Sequence, residues 1–230
     1  AGSLPYGWIR RMILIVTAHP DDETIYFGGL LLANPGADVV CITDGNFAEK
    51  GAVRQQAFHG ACGRLGVRRS ECWSYPDNPV WHLPVEAITA RLTAFDCGYR
   101  AIYTHSPHGE YGHINHMDVS LATIRAFGDR TRICADRLFA SELVTMDFDA
   151  FARKMAVLRE YYASEIDHAW KVISLSRSEG FAEISLAEAE AIHEMCTGGE
   201  APDLSVLRLY AHLAPFLAAL ARQAQPFSRT

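Results

Sequence analysis

No stretch of this chain approaches the ~20 consecutive apolar residues that a membrane-spanning helix needs, so a membrane is not an expected partner. Positive charge is not in excess either. The 21 Lys and Arg are outnumbered by 27 Asp and Glu, for a net charge of −6, which excludes the basic footprint of a nucleic-acid binder. Cysteine is present without pattern: Cys41, Cys62, Cys72, Cys97, Cys134 and Cys196 form no CxxC pair and follow no signal peptide. A disulfide framework is therefore not expected, and the thiols read as reduced and mostly buried in a cytoplasmic protein. Internal repeats, low-complexity tracts and a clear linker are lacking as well. What remains is an ordinary globular composition, 49% hydrophobic and 21% charged over 230 residues, enough for one domain with a sizeable core.

Short apolar runs alternate with helical periodicity through the first two thirds. Residues 12–17, 39–43, 71–75 and 101–104 read as strands, rich in Ile, Val, Tyr and Cys and closed by polar or Gly/Pro punctuation. Residues 24–33, 52–65 and 85–93 between them read as helices, with Gly66 where a C-cap belongs. That alternation predicts an α/β fold: a Rossmann-like, mostly parallel sheet covered by helices on both faces. A helix over 117–127, a fifth strand over 138–141 and an amphipathic helix over 148–162 follow. The last turns Phe151, Met155, Leu158 and Tyr162 inward. The C-terminal third is more variable, with a strand over 170–175, a helix over 186–195 and a helix over 204–221 interrupted near Pro215.

Chemistry concentrates at two strand ends. After the first apolar run comes Ala18-His19-Pro20-Asp21-Asp22-Glu23, at the C-terminal mouth where open α/β sheets put their ligand sites. His19 and Asp22 stand three apart and can hold one cation, leaving Asp21 beside anything bound to it. After the strand 101–104 comes His105-Ser106-Pro107-His108-Gly109-Glu110-Tyr111-Gly112-His113-Ile114-Asn115-His116, which holds four of the ten histidines. If the two strands are neighbours, His116 or His113 completes a two-imidazole, one-carboxylate site. That donor set suits a catalytic zinc ion, and equally non-haem iron or another divalent metal.

These residues resemble the PIG-L/LmbE-like zinc deacetylases. The resemblance rests on His19-Pro20-Asp21-Asp22-Glu23, on Gly28-Gly29 and on Tyr111-Gly112-His113-x-x-His116. Weaker echoes are Thr43-x-Gly45, Arg54 with Leu65-Gly66, Pro76-Asp77, Thr104-His105, and Lys154 with Ser164, so that it spans roughly residues 12–165. The resemblance implies an LmbE-like fold and hydrolytic N-deacetylation of an N-acetylglucosaminyl group in a small sugar-containing substrate. Residues 1–11 would then be an N-terminal extension, in part a cloning remnant, and 12–230 a single deacetylase domain, with assembly into a homo-oligomer left open. It implies His19, Asp22 and His116 as zinc ligands and Asp21 as general base. His113 would stabilise the oxyanion or protonate the leaving amine, and Tyr111 would polarise the carbonyl. Asn115 departs from the pattern, standing where many members have Asp, and Glu165 replaces a usual Gln.

Other readings stay beside this one. The same site would hydrolyse another N-acyl or amide substrate. A nucleotide-binding or non-catalytic metal-binding module is the minor alternative, and the turn 19–23 argues against a nucleotide because its carboxylates would repel a pyrophosphate. Arg54 is a candidate for holding a sugar hydroxyl, or else it pairs with a carboxylate. His105 either lines the substrate cleft or is a solvated loop histidine. Trp73 and Trp81 would stack on a sugar ring or cover core. Gly28 and Gly29 permit either substrate approach or, as the stronger reading, tight helix packing.

Overall fold

The computed structural model describes residues 12–169, 176–198 and 203–213. In chain order the main elements are β1 Ile13–Thr17, α1 Asp22–Ile25, α2 Gly28–Ala33, β2 Asp38–Thr43, α3 Gly51–Arg64, β3 Arg69–Tyr75, α4 Val85–Phe95 and β4 Ala101–Thr104. They continue with α5 Ile114–Phe127, β5 Thr131–Cys134, β6 Glu142–Thr145, α6 Phe148–Tyr161, α7 Ala163–Ala169, β7 Ser178–Ala182 and α8 Leu186–Thr197. The seven strands form one sheet in the order β3-β2-β1-β4-β5-β7-β6. Its first five members are parallel, and β7 runs antiparallel to both β5 and β6. The mostly parallel, helix-covered sheet expected from the alternation is what the chain forms.

Alternation inside each strand explains the two layers. Ile13 and Ile15 of β1 pack with Val39 and Cys41 of β2 against Leu30, Leu31, Phe58 and Leu158 on one face. Leu14 and Val16 pack with Val40 and Ile42 against Ile88, Leu92, Val119 and Ala122 on the other. Period-2 side chains sent to two covered faces are why these strands read as unbroken apolar runs. Ile124, Ile133, Ala189 and Ile192 form a third cluster that docks α8 onto α5. Of the stripe on α6, Leu158 and the following Tyr162 are buried in the core, and Met155 packs partly buried against it.

Three expectations are corrected. The single helix over 24–33 is two, broken at Tyr26-Phe27 where Phe27 leaves helical geometry. A second helix can start there because the Glu179 carboxylate accepts from Gly29 N and Leu30 N at 2.7 and 2.8 Å, satisfying N-terminal donors that would otherwise need the preceding turn. The strand over 138–141 is a turn, in which Leu138 N donates to Asp136 Oδ1 and the Leu138 side chain is exposed. Pairing belongs to β5 and β6 on either side of it. Residues 204–221 contain short 3₁₀ turns at Leu204–Val206 and Ala211–Leu213; 214–221, like the strand expected over 170–175, lies outside the described residues. Cys97 and Cys196 are exposed, so the thiols are free but less uniformly buried than expected.

Candidate active site

Strand order places the site. β1 has β2 on one side and β4 on the other, so the chain's course reverses between β1 and β4 and leaves a crevice beyond their C-terminal ends. The segment 18–23 enters it from β1 and the histidine cluster enters from β4. Thr104 Oγ1 donates to Val16 O, locking the two strand ends together. A turn at Gly109–Gly112 then leads into α5, whose N-cap is His113: its Nδ1 accepts from Asn115 N at 3.2 Å.

Three donor atoms form a triangle. His19 Nδ1 lies 3.1 Å from His116 Nε2, and Asp22 Oδ2 lies 3.5 Å from each of them. Donors that bind one zinc ion at about 2.0–2.2 Å stand roughly 3–3.5 Å apart, so His19, Asp22 and His116 fit a single divalent metal. His116 closes the triangle with Asp22, while His113 has one nitrogen engaged as a cap; His19, His113 and His116 also form a group whose donor atoms lie within 4.8 Å of one another. The far nitrogen of each imidazole in the triangle is also held. His116 Nδ1 meets Glu110 Oε2 at 2.6 Å; His19 Nε2 lies 3.3 Å from Asn115 Oδ1 and 3.4 Å from Asp77 Oδ1. Such outer partners fix ring orientation and leave the inner nitrogen as the ligand. Asn115 thus orients His19, a role available to a neutral amide.

Asp21 stands next to this triangle with an unusual backbone, φ 135° and ψ −31°. For a residue other than glycine such a conformation costs on the order of 1–3 kcal/mol and must be held by its surroundings. Glu23 Oε2 accepts from Asp21 N at 3.0 Å, and Tyr162 Oη and Thr24 Oγ1 in turn donate to Glu23 Oε1. Burial lifts the Asp21 carboxyl well above the usual carboxylate range, with Asp22 adding to the rise and Arg54 opposing it. Burial would also lift Asp22, but the neighbouring His116 and His105 outweigh it and hold that carboxyl well below the usual range. Two adjacent aspartates are therefore driven apart, one toward proton acceptance and one toward ligation. Burial, with His19 and His116 adding to it, pushes the His113 imidazole down to about 3. With Nδ1 accepting from Asn115, neutral His113 carries its proton on Nε2.

A cavity of about 300 Å³ opens over these groups, lined among others by His19, Asp21, Arg54, Asp77, Tyr111 and His113. It lies at the small end of ligand sites. Arg54 Nη1 donates to Asp77 Oδ2 at 2.8 Å and Nη2 to Asp21 Oδ2 at 3.3 Å, with Glu165 Oε1 3.8 Å from its Nε. Arg54 lines the cavity while holding the carboxylates. Tyr111 is half exposed, and Phe47 is exposed where it lines the cavity.

His105 is corrected. It lines no cleft and is no solvated loop residue, because it is fully buried, between Asp22 Oδ2 at 3.2 Å and Glu110 Oε2 at 3.1 Å. Burial alone would lower its pKa, yet Glu110 and Asp22 raise it to about 10. Trp73 is core, and Trp81 is exposed, its carbonyl accepting from Asn115 Nδ2. Gly28 and Gly29 serve packing: a Cβ there would stand 3.1 Å from Lys154 and 3.0 Å from Met146. Glu110 and Asp77 are the site residues the sequence reading assigned no role. The signals available were Glu110's place inside the histidine cluster and Asp77's place just past β3.

A mostly parallel sheet with an imidazole and carboxylate triangle at its switch point defines a class, Rossmann-like α/β proteins whose crevice carries donors that could hold a cation. Residues 14–127 match the PIG-L family model, described as GlcNAc-PI de-N-acetylase. It is 31% identical over 145 residues to N-acetylglucosaminyl-phosphatidylinositol de-N-acetylase of Bos taurus, covering 57% of this chain and 56% of that protein. The chain thus spans just over half the length of this curated relative. In three dimensions it resembles N,N′-diacetylchitobiose deacetylase from Pyrococcus horikoshii, with TM-score 0.58 and 16% identity over 76% of this chain and 84% of that one. It also resembles 4-carboxy-2-hydroxymuconate hydratase from Pseudomonas putida KT2440, with TM-score 0.55 and 15% identity over 76% and 96%. The fold alone therefore does not select the reaction.

Proposed function

We propose that this protein is a divalent-metal hydrolase, zinc being the favoured ion, that removes the acetyl group from a 2-acetamido sugar in a small glycoside or glycoconjugate. The observation that carries the reading is the triangle of His19 Nδ1, Asp22 Oδ2 and His116 Nε2 with the Asp21 carboxylate beside it in an open cavity. The Bos taurus relative and the Pyrococcus horikoshii neighbour carry names that share an N-acetylated glucosamine unit, which supports the choice of substrate class. His19, Asp22 and His116 would hold a divalent metal, which would supply a lowered pKa of water, toward ~7, and polarisation of an amide carbonyl.

The remaining steps belong to the chain's own groups. Asp21 takes the proton of the attacking water, its oxygen positioned by Arg54 and its backbone by Glu23. His113, with Nδ1 occupied by Asn115 N, donates from Nε2 to the developing oxyanion, and the Tyr111 hydroxyl is a second donor. Asp21 then returns its proton to the departing amine, leaving acetate and a free amino sugar. Arg54 keeps Asp77 and Asp21 apart and in place.

Amine release from N-acetylglucosaminides tests the reading. Metal-stripped protein is expected to be inactive and to regain activity with zinc. Asp21→Asn is expected to lower kcat about 10²–10⁴-fold while zinc still binds. Unchanged turnover in that variant would remove Asp21 from its role. Release only from acetamides that carry no sugar would move the substrate to the wider N-acyl class.

A further inference from the structure

Among the described residues, one other cluster of potential metal-binding side chains outside this site joins three elements. His82 lies on the loop between β3 and α4, Asp118 on α5 and His193 on α8. The Asp118 carboxylate is fully buried, and its Oδ1 lies 2.9 Å from His82 Nδ1 and 2.8 Å from His193 Nε2. Its Oδ2 accepts from Leu83 N at 2.7 Å and stands 3.1 Å from the same His82 nitrogen. The three side chains can each offer an atom within 4.8 Å of the others. Solvent reaches the group at the two rings, the His82 side chain being 46% exposed and that of His193 15%.

We propose that His82, Asp118 and His193 form a second site for a borderline divalent ion such as Zn²⁺, clasping the loop after β3 to α8. Two imidazoles and one carboxylate select Zn²⁺, Co²⁺ or Ni²⁺ over Ca²⁺ and Mg²⁺, which take oxygen ligands. The carboxylate is oriented before any ion arrives, because Leu83 N holds the other oxygen. Water completes the coordination from the exposed side. Each neutral ring binds the ion through the nitrogen now facing Asp118 and carries its proton on the other. The loop so held also supplies Asp77 and Pro79 to the cavity and the Trp81 carbonyl to Asn115. An ion here would brace the loop that forms part of the cavity wall.

The same contacts also serve as a hydrogen-bonded clasp without metal, and the test separates the two. Tag-free protein stripped by chelator is titrated with Zn²⁺ by calorimetry, and bound equivalents are counted by native mass spectrometry. The comparison is His82→Asn combined with His193→Gln. These amides place an N–H where Nδ1 and Nε2 stood, so the bonds to Asp118 stay while ligation is lost. The double variant is expected to bind one equivalent fewer than wild type, two becoming one. Equal stoichiometry in both proteins overturns the proposal. One equivalent in wild type and none in the variant supports this site and counts against the triangle of His19, Asp22 and His116, so the two readings fail separately. If the double variant does not fold, His82→Asn alone, at the more exposed position, is read by the same count.

Discussion

Asp21 and Asp22 have the same side chain and adjoining positions, and only their neighbours distinguish them. Asp22 Oδ2 accepts from His19 N at 2.7 Å and faces two further imidazoles, whereas Asp21 faces Arg54. Both residues were legible in the sequence because histidine beside paired carboxylates at a strand end is a rare combination. Glu110 was not, since its effect runs through His116 and His105, and which imidazole a carboxylate will reach depends on packing. Its role is open to measurement. Glu110→Gln is expected to weaken zinc binding about 10–100-fold, read by competition with a chromophoric chelator. Wild-type affinity would assign Glu110 to folding alone.

Lys154 shows why elements are harder to read than residues. On an amphipathic helix a lysine is normally assigned to the solvent face, yet this one is buried. Its Nζ donates to Ile25 O and to Glu179 Oε1, both at 2.7 Å. Glu179 also holds the start of α2, so one carboxylate ties α2, α6 and β7 together beneath the site. No periodicity announces such contacts, for the two partners lie 129 and 25 residues away in the chain. β7, with the sequence Ser-Glu-Gly-Phe-Ala, likewise lacks the apolar run that made β1 and β2 readable. Removing one member of a buried pair costs about 3–5 kcal/mol. Lys154→Met is therefore expected to lower unfolding free energy by roughly that amount in urea, and adding Glu179→Gln should recover part of it. On the apolar side of the same layer, Leu30→Ala should cost about 2–5 kcal/mol through the cavity it leaves.

For the molecule as a whole, a metal that binds only the folded chain adds stability by mass action. Zinc at a hundred times its dissociation constant contributes about 2.7 kcal/mol. For a protein of this size that raises Tm by roughly 5–10 °C, at about 2–4 °C per kcal/mol. Differential scanning fluorimetry with and without chelator should register the shift. No change in Tm would mean that the folded protein holds no zinc. The sheet covered on both faces was visible in the sequence because Ile13 to Val16 of β1 are all apolar and pack alternately into the two core clusters. The antiparallel edge was not, because its strands are short and their pairing is decided late in the chain.

The triangle at the switch point also has a history in time. His19 and His116 are 97 positions apart, and at roughly 5–20 residues per second a ribosome needs about 5–20 s to travel between them. During that interval the nascent chain holds two of the three proposed donors and no finished pocket. Until β4 and α5 dock, it would meet whichever ion is at hand with an incomplete grip.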